Sequence, residues 1–526
     1  MFDAVIRNAT LYGLEGNRSA VADLAIKDGK IAKIGVIPEK GVLEVDGRGY
    51  CALPGFVDVH SHSDYYLLID PAAEGKLRQG VTSEIGGNCG YSSAPIGGDI
   101  FRVRGEAYKE QFGLTLDWHS FDEYWRRLER KNSSVNYAGL IGYNTLRATV
   151  LGSKDVPAVG EGKEAMKRMI RENMAQGAAG MSVGLVYPPA CFATKEEMVE
   201  MVGEVAKAGK LFTTHIRSEG PRLVESIEEV IDIARRTGVK LQISHLKTAG
   251  KDNWHKLDTV FNMIETARAG GVDIECDRYP YIASNTGLQV VLPDWAFDGG
   301  RDGTIAFLKD PAARNKMRAE ILANHPEPEY WDTVMVSQVA TPKNHDMQGV
   351  TVARGAAMTG KDPVDFVFDI LLEEKTEVEA IYFCMSGKNM DRILAKEYVM
   401  VGSDAGARSV GGPLGIGRPH PRTFGTFPRF FADYVFGRKL VTMEEAVMKT
   451  STMACRRFGL AGRGELREGY WADIVMFRPE TVADTTTYEN PLSYPKGIDY
   501  VFVNGTLSIR KGEYTGALAG RGLKIH

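Results

Sequence analysis

Residues 211–245 read LFTTHIRSEGPRLVESIEEVIDIARRTGVKLQISH. The stretch opens with an apolar strand, Leu211 to His215. Leu223 to Arg236 is helical, Gly238 ends the helix, and Leu241 to His245 is a second strand. Each strand closes on a histidine. The unit recurs on both sides. Upstream, Thr194-Lys195-Glu196-Glu197 has the form of a capping box and opens a helix that stops near Gly209. Downstream, Lys256 to Ala269 is helical, Gly270-Gly271 ends it, and Val272 to Cys276 is a strand. Serial alternation of this kind builds a parallel sheet. With enough units the sheet closes as a (β/α)8 TIM-type barrel, whose active site lies at the C-terminal strand ends. An open doubly wound sheet is the main rival, but its Gly-rich nucleotide loop is missing after the first strand.

The two ends of the chain have a different texture. Phe2 to Leu11, Ala22 to Lys27, Ile31 to Ile37 and Val42 to Val45 alternate with Gly and charged turns. Ala472 to Phe477 and Tyr500 to Val503 match them near the other end, and Asn504-Gly505 is a hairpin-type turn. The expected organisation is a small β-sandwich assembled from residues 1–54 and 455–526, around a β/α barrel over 55–454. From about 285 to 375 the alternation breaks. This Pro- and Trp-containing excursion, with a helix near Pro311 to Ala323, reads as an inserted lid. Its opening residues, Gly287 to Leu292, offer no cation, so an apolar substrate side chain is expected against it.

Composition narrows the function. A chain of 526 residues with 44% apolar content can bury a large barrel and an accessory domain. A formal net charge of −4 leaves no basic footprint for nucleic acid. No run of 18 apolar residues is present, so no membrane span is expected. Residues 1–7 lack the basic-then-apolar pattern of a signal peptide. Six cysteines without paired spacing fit reduced thiols and a cytoplasmic location. The sequence carries no signal for oligomeric state.

Four short strings carry metal-ligand chemistry. His60 and His62 alternate along an extended segment after Val57-Asp58-Val59, so both point to one side. Asp58 is a candidate acceptor behind a ligand histidine. Cys89 sits in Gly86-Gly87-Asn88-Cys89-Gly90, where glycines permit close backbone approach, and its thiolate can bridge two metals. His215 and His245 end consecutive strands. Asp404 closes Tyr398 to Ser403, a plausible last barrel strand. A carboxylate there can take a proton from an attacking water and return it to a leaving amine. The order His-x-His, Cys, His, His, Asp indicates a hydrolytic metal site inside the barrel.

These strings resemble the amidohydrolase superfamily, and within it the N-acyl-D-amino-acid deacylases. The likeness runs nearly end to end, through Pro54 to His62, Gly87 to Gly90, Gly184 to Pro189, Thr214 to Arg217 and Ser244 to Lys247. It continues through Asp277 to Tyr281, Gly402 to Asp404, His420 to Arg422 and Gly425 to Phe427. Gly-Asn-Cys-Gly is the discriminating motif, since many superfamily members bridge their metals with a carboxylated lysine. The resemblance implies a tight zinc on Cys89, His215 and His245, and a second, weaker position at His60, His62 and Asp404. It implies Asp404 as general base and acid. Lys247, Tyr279 and Arg422 would bind the substrate's α-carboxylate, with Tyr187 near the scissile group. Two cations and a phenol make chemical sense as an anion clamp. Two features depart from the family: the Asp404-to-Arg422 segment is long, and Asn285 stands where a small hydroxyl residue is expected.

The expected function is zinc-dependent hydrolysis of the amide bond of N-acyl-D-amino acids, with a small-molecule substrate. The D preference comes from the resemblance alone. A cyclic-amide hydrolase of the hydantoinase or dihydroorotase type is the nearest rival, and Cys89 argues against it. A non-catalytic scaffold on the same barrel would have lost ligands, whereas all six are present.

Overall fold

In the computed structural model, which describes residues 1–526, eight parallel strands follow one another around the molecule. They are β1 (Phe56–Asp58), β2 (Val81–Gly86), β3 (Asn136–Gly142), β4 (Gly180–Gly184), β5 (Leu211–His215), β6 (Lys240–Ile243), β7 (Ile274–Arg278) and β8 (Val399–Val401). Each pairs in parallel with the next. Just beyond the last paired residues β8 meets β1. The Asp404 N–H donates to the His60 carbonyl at 2.8 Å and the His62 N–H to the Ala405 carbonyl at 3.3 Å. Ser61 and Ala405 complete this parallel bridge. The barrel therefore closes through a seam that contains three of the expected site residues.

Burial explains the composition of the strands. Every residue of β2, β3, β4 and β5 is buried, as it must be with the barrel interior on one side and helices on the other. The helix between β5 and β6, Leu223–Thr237, buries Leu223, Ile227, Val230, Ile231 and Ala234 on one stripe. It stops where Gly238 takes a left-handed φ of +70°. The helix before β5, Lys195–Lys207, is capped by Thr194, whose hydroxyl accepts from the Glu197 N–H at 3.1 Å. The return bond of the expected capping box is not made. Glu197 turns inward instead, accepting from Arg147 Nε at 2.9 Å and from the Tyr143 hydroxyl. An arginine buried in the core needs that carboxylate more than the helix end does.

Both termini contribute to one nine-stranded sheet. Phe2–Leu14, Arg18–Lys27, Lys30–Gly35, Gly41–Asp46 and Cys51–Pro54 join Ile474–Phe477, Ile498–Val503, Thr506–Arg510 and Glu513–Tyr514. Cys51–Pro54 pairs with Ile474–Phe477 and stitches the two ends together. A cluster of 14 buried apolar residues supports the sheet. Asn504 and Gly505 both take positive φ, 48° and 79°, as the tight turn between paired Val503 and Thr506 requires.

Between β7 and β8 the chain leaves the barrel. Ser284–Gly287 and Val334–Val339 flank a central antiparallel strand, Val378–Tyr382. Helices Gly300–Lys309, Pro311–Asn324, Val352–Thr359 and Pro363–Glu373 pack on this sheet around 23 buried apolar residues. Its first strand lies over the barrel mouth. The Ala283 carbonyl accepts from His420 Nε2 at 2.9 Å and the Asn285 carbonyl from Arg422 Nη2 at 3.2 Å.

Candidate metal centre

The His-x-His, Cys, His, His and Asp strings converge at the C-terminal ends of the strands. Cys89 Sγ lies 3.2 Å from His60 Nε2, 3.8 Å from His215 Nδ1 and 3.4 Å from His245 Nε2. Asp404 Oδ1 lies 3.4 Å from His60 Nε2 and 3.0 Å from His62 Nε2. Two ligand groups result, His60–His62–Cys89–Asp404 and Cys89–His215–His245, with Cys89 common to both. Tetrahedral zinc with Zn–S and Zn–N bonds of usual length separates its sulfur and nitrogen ligands by roughly 3.5 Å. The observed spacings match that value, and the donor set of thiolate, imidazole and carboxylate suits zinc.

Local backbone explains why these residues reach the centre. Cys89, His245 and Asp404 have φ of 51°, 35° and 54°. Non-glycine residues rarely adopt this left-handed region, and the strain concentrates at functional positions. The turn holding Cys89 passes so close to its neighbours that side chains are excluded. A Cβ on Gly87 would lie 2.3 Å from the Leu140 carbonyl oxygen, and one on Gly90 would lie 1.7 Å from Asn144 Oδ1.

The electrostatics favour anionic ligands. Burial alone would raise the Cys89 thiol, but His60 and His245 hold it well below its usual range. Burial opposes the charge on Asp404 as well, and Arg422, His60 and His245 keep its carboxyl well below the ordinary value. Arg422 Nη1 sits 2.8 Å from Asp404 Oδ2.

Two further carboxylates stand behind the ligands. Asp277 Oδ1 lies 3.0 Å from His60 Nδ1 and accepts from the His245 backbone N–H at 2.8 Å. Its other oxygen accepts from Gln242 Nε2 at 2.7 Å. Glu219 Oε1 lies 2.9 Å from His245 Nδ1. Asp58, the expected acceptor behind a ligand histidine, does not face an imidazole. It accepts from Lys76 Nζ and Ser403 Oγ, both at 2.5 Å, and from the backbone of Ser403 at 2.8 Å and of His60 at 3.3 Å. Lys76 and Asp58 are fully buried, and a buried ammonium demands a paired carboxylate.

Of the residues expected to clamp a carboxylate, Tyr279 and Arg422 lie together. Tyr279 is fully buried and its hydroxyl has no hydrogen-bond partner. The Arg422 guanidinium lies 4.6 Å from the Tyr279 ring centre, and its Nη1, although near Asp404, makes no aligned hydrogen bond. Lys247 is arranged differently: its Nζ bonds to Glu219 and lies 2.7 Å from His245 Nδ1. Tyr187 packs edge-on to His215, with ring centres 4.9 Å apart, and its hydroxyl is 3.0 Å from Thr286 Oγ1 of the insertion. His420 holds the Arg422 loop by accepting the Arg422 backbone N–H on Nδ1 at 3.0 Å.

The amidohydrolase family model matches residues 43–509. The chain belongs to the amidohydrolase family. It is 35% identical to a D-aminoacylase of Alcaligenes xylosoxydans xylosoxydans, over 99% of this chain and 97% of that protein. Its fold superposes on N-acyl-D-glutamate deacylase from Bordetella bronchiseptica with a TM-score of 0.82 at 29% identity, covering 99% of each chain. That structure holds zinc and a phosphonate inhibitor that mimics the tetrahedral intermediate. A D-aminoacylase structure described with a binuclear metal centre matches with a TM-score of 0.83 at 31% identity over the whole of both chains. No helix here is long and apolar enough to cross a membrane.

Proposed function

We propose that this chain is a zinc-dependent amidohydrolase that cleaves N-acyl-D-amino acids into a carboxylate and a free D-amino acid. The observation that carries the reading is Cys89, the sulfur shared by both ligand groups. A cyclic-amide hydrolase of the family would be expected to place a bridging lysine there. Near full-length similarity to deacylases of N-acyl-D-amino acids supports the same substrate class.

Cys89, His215 and His245 would hold a tight zinc, and His60, His62 and Asp404 a second, weaker position. Zinc so held supplies Lewis acidity to the acyl oxygen and lowers the pKa of the attacking water. Asp404 does the proton work. Arg422 and the histidines keep it ionised, so it can take the water's proton and deliver it to the departing nitrogen. Tyr279 and Arg422 present buried donors without aligned partners, and a substrate carboxylate would satisfy both. Lys247 would join them once it releases Glu219. Tyr187 stands between His215 and the insertion, where it can orient the scissile group.

The insertion would act as a lid over the bound substrate. The face it offers includes polar groups as well as apolar ones: Asn285 Nδ2 donates to Glu379 Oε2 at 2.9 Å. Arg408, a cation whose charge reaches Glu379, is already held by the Ile416 carbonyl at 3.2 Å and Gln338 Oε1 at 3.4 Å. An acidic substrate side chain would therefore meet a carboxylate rather than a free cation. All six cysteines are free, which suits a reducing compartment such as the cytoplasm.

Release of free amine from paired D and L forms of N-acetyl amino acids tests the reading, together with zinc content. Turnover of the D form with bound zinc is the expected result. Turnover of the L form alone, or of cyclic amides in its place, would reject it.

A further inference from the structure

Glu219 lies four residues past His215, in the loop that leaves β5. Its carbonyl accepts from the Ala249 N–H at 2.7 Å, which ties this loop to the one after β6. A single carboxylate oxygen, Oε1, faces three nitrogens: His245 Nδ1 at 2.9 Å, His215 Nε2 at 3.7 Å, and Lys247 Nζ in hydrogen-bond contact. The two histidines approach Cys89 with opposite ring nitrogens, His215 with Nδ1 and His245 with Nε2. Their remaining nitrogens consequently turn to the same oxygen.

We propose that Glu219 is a positioning residue for the tight metal position: it fixes the tautomer of His245 in competition with Lys247, which reaches the same ring nitrogen, and orients His215 through its charge. The inference rests on the metal position proposed above and deepens it. An imidazole ligates only through an unprotonated nitrogen, and the other nitrogen then carries the proton and needs an acceptor. At His245 Nδ1 two side chains compete. Lys247 Nζ, 2.7 Å away, has three donors and no acceptor. Paired with Lys247, Nδ1 must accept, and the ring proton moves to Nε2, the nitrogen that faces Cys89. Paired with Glu219, Nδ1 donates, and Nε2 keeps its lone pair. At His215 the 3.7 Å separation is too long for a direct bond, so the carboxylate acts there through its charge.

Loss of Glu219 should therefore do more than remove a support, because it leaves Lys247 as the sole partner of Nδ1. Zinc affinity is measured by competition with a chromogenic chelator, without substrate. Inactivity toward N-acyl-D-amino acids would leave this result intact. Glu219→Ala is expected to weaken zinc binding 10–100-fold, the usual effect of losing a carboxylate behind a ligand histidine. Adding Lys247→Met to Glu219→Ala is expected to recover at least threefold of that loss, since the competing donor is gone. A merely structural role gives no such recovery. Zinc affinity within threefold of wild type in Glu219→Ala, or no recovery in the double variant, would overturn the proposal. If Glu219→Ala fails to fold, the isosteric Glu219→Gln carries the test. A loss of threefold or more is then expected, and unchanged affinity contradicts it.

Discussion

Asp277 Oδ1 and His60 Nδ1 are 3.0 Å apart in a fully buried pair. Through this contact β7 sets the ring of a residue at the end of β1, across the barrel interior. Burial disfavours charge on His60, and Asp277, Cys89 and Asp404 reverse that, raising its pKa well above the ordinary value. Asp277 thus fixes which nitrogen of His60 faces Cys89 and Asp404. Asp277→Asn keeps the size but can present an N–H to His60 Nδ1. Metal bound at the His60 position is expected to weaken 10–100-fold, read as metal content after dialysis against graded chelator. Unaltered metal retention would show that Asp277 does not orient this ligand.

The carboxylate clamp predicts a selective defect. Arg422→Met removes a charge-assisted contact of about 1.5–3 kcal/mol, which lowers kcat/KM on free-carboxylate substrates by roughly 10–150-fold. Matched α-amide substrates lack the anion and should lose far less. An equal loss on both would show that Arg422 does not read the carboxylate. Asp404 loses its ion-pair partner in the same variant, so any acid-side shift in the pH profile should be common to both substrates.

Glu379 predicts the side-chain preference. Its carboxyl lies on the insertion beside Asn285, accepting from Asn285 Nδ2 at 2.9 Å. N-acetyl-D-leucine is expected to outperform N-acetyl-D-glutamate, and Glu379→Gln should improve the glutamate derivative relative to leucine at least threefold. A wild-type preference for N-acetyl-D-glutamate would contradict this arrangement.

Much of the centre was legible because its ligands end strands in short linear strings. His60, His62, Cys89, His215, His245 and Asp404 each sit where a buried run stops, and a barrel brings such ends together. The partners behind them left weaker traces. Asp277 is recruited by His60 from β7, more than two hundred positions along the chain, and no local pattern announces the pairing. Glu219 offered one usable signal, its spacing of four from His215 beyond a strand end. Asp58 misled because its neighbour His60 suggested a ring contact, whereas Asp58 turns towards Lys76, which sits in the short helix Glu74–Leu77. Glu197 looked like half of a capping box because a buried arginine, fifty positions earlier, is invisible to a four-residue motif.

Lys449 supplies a pH test of stability. Its ammonium is buried against the Lys396 and Val399 carbonyls, and desolvation lowers its pKa to about 8 from an ordinary value of 10.5. Between those values the unfolded chain binds more protons at this site than the folded one, so this group's contribution to stability rises with pH there. Below pH 8 the burden of burying the charge is present in full. The difference in melting temperature, wild type minus Lys449→Met, should move in favour of wild type from pH 8 to pH 10. A flat difference would mean that Lys449 stays charged in the fold.

The most direct test of the central claim is Asp404→Asn, assayed for zinc and for turnover of an N-acetyl-D-amino acid in one preparation. Asparagine keeps the shape at the seam where β8 meets β1 but cannot accept the proton. The expected outcome is a folded protein that retains the tight zinc on Cys89, His215 and His245, with kcat reduced about 10²–10⁴-fold. Turnover within tenfold of wild type, with that zinc in place, would contradict it.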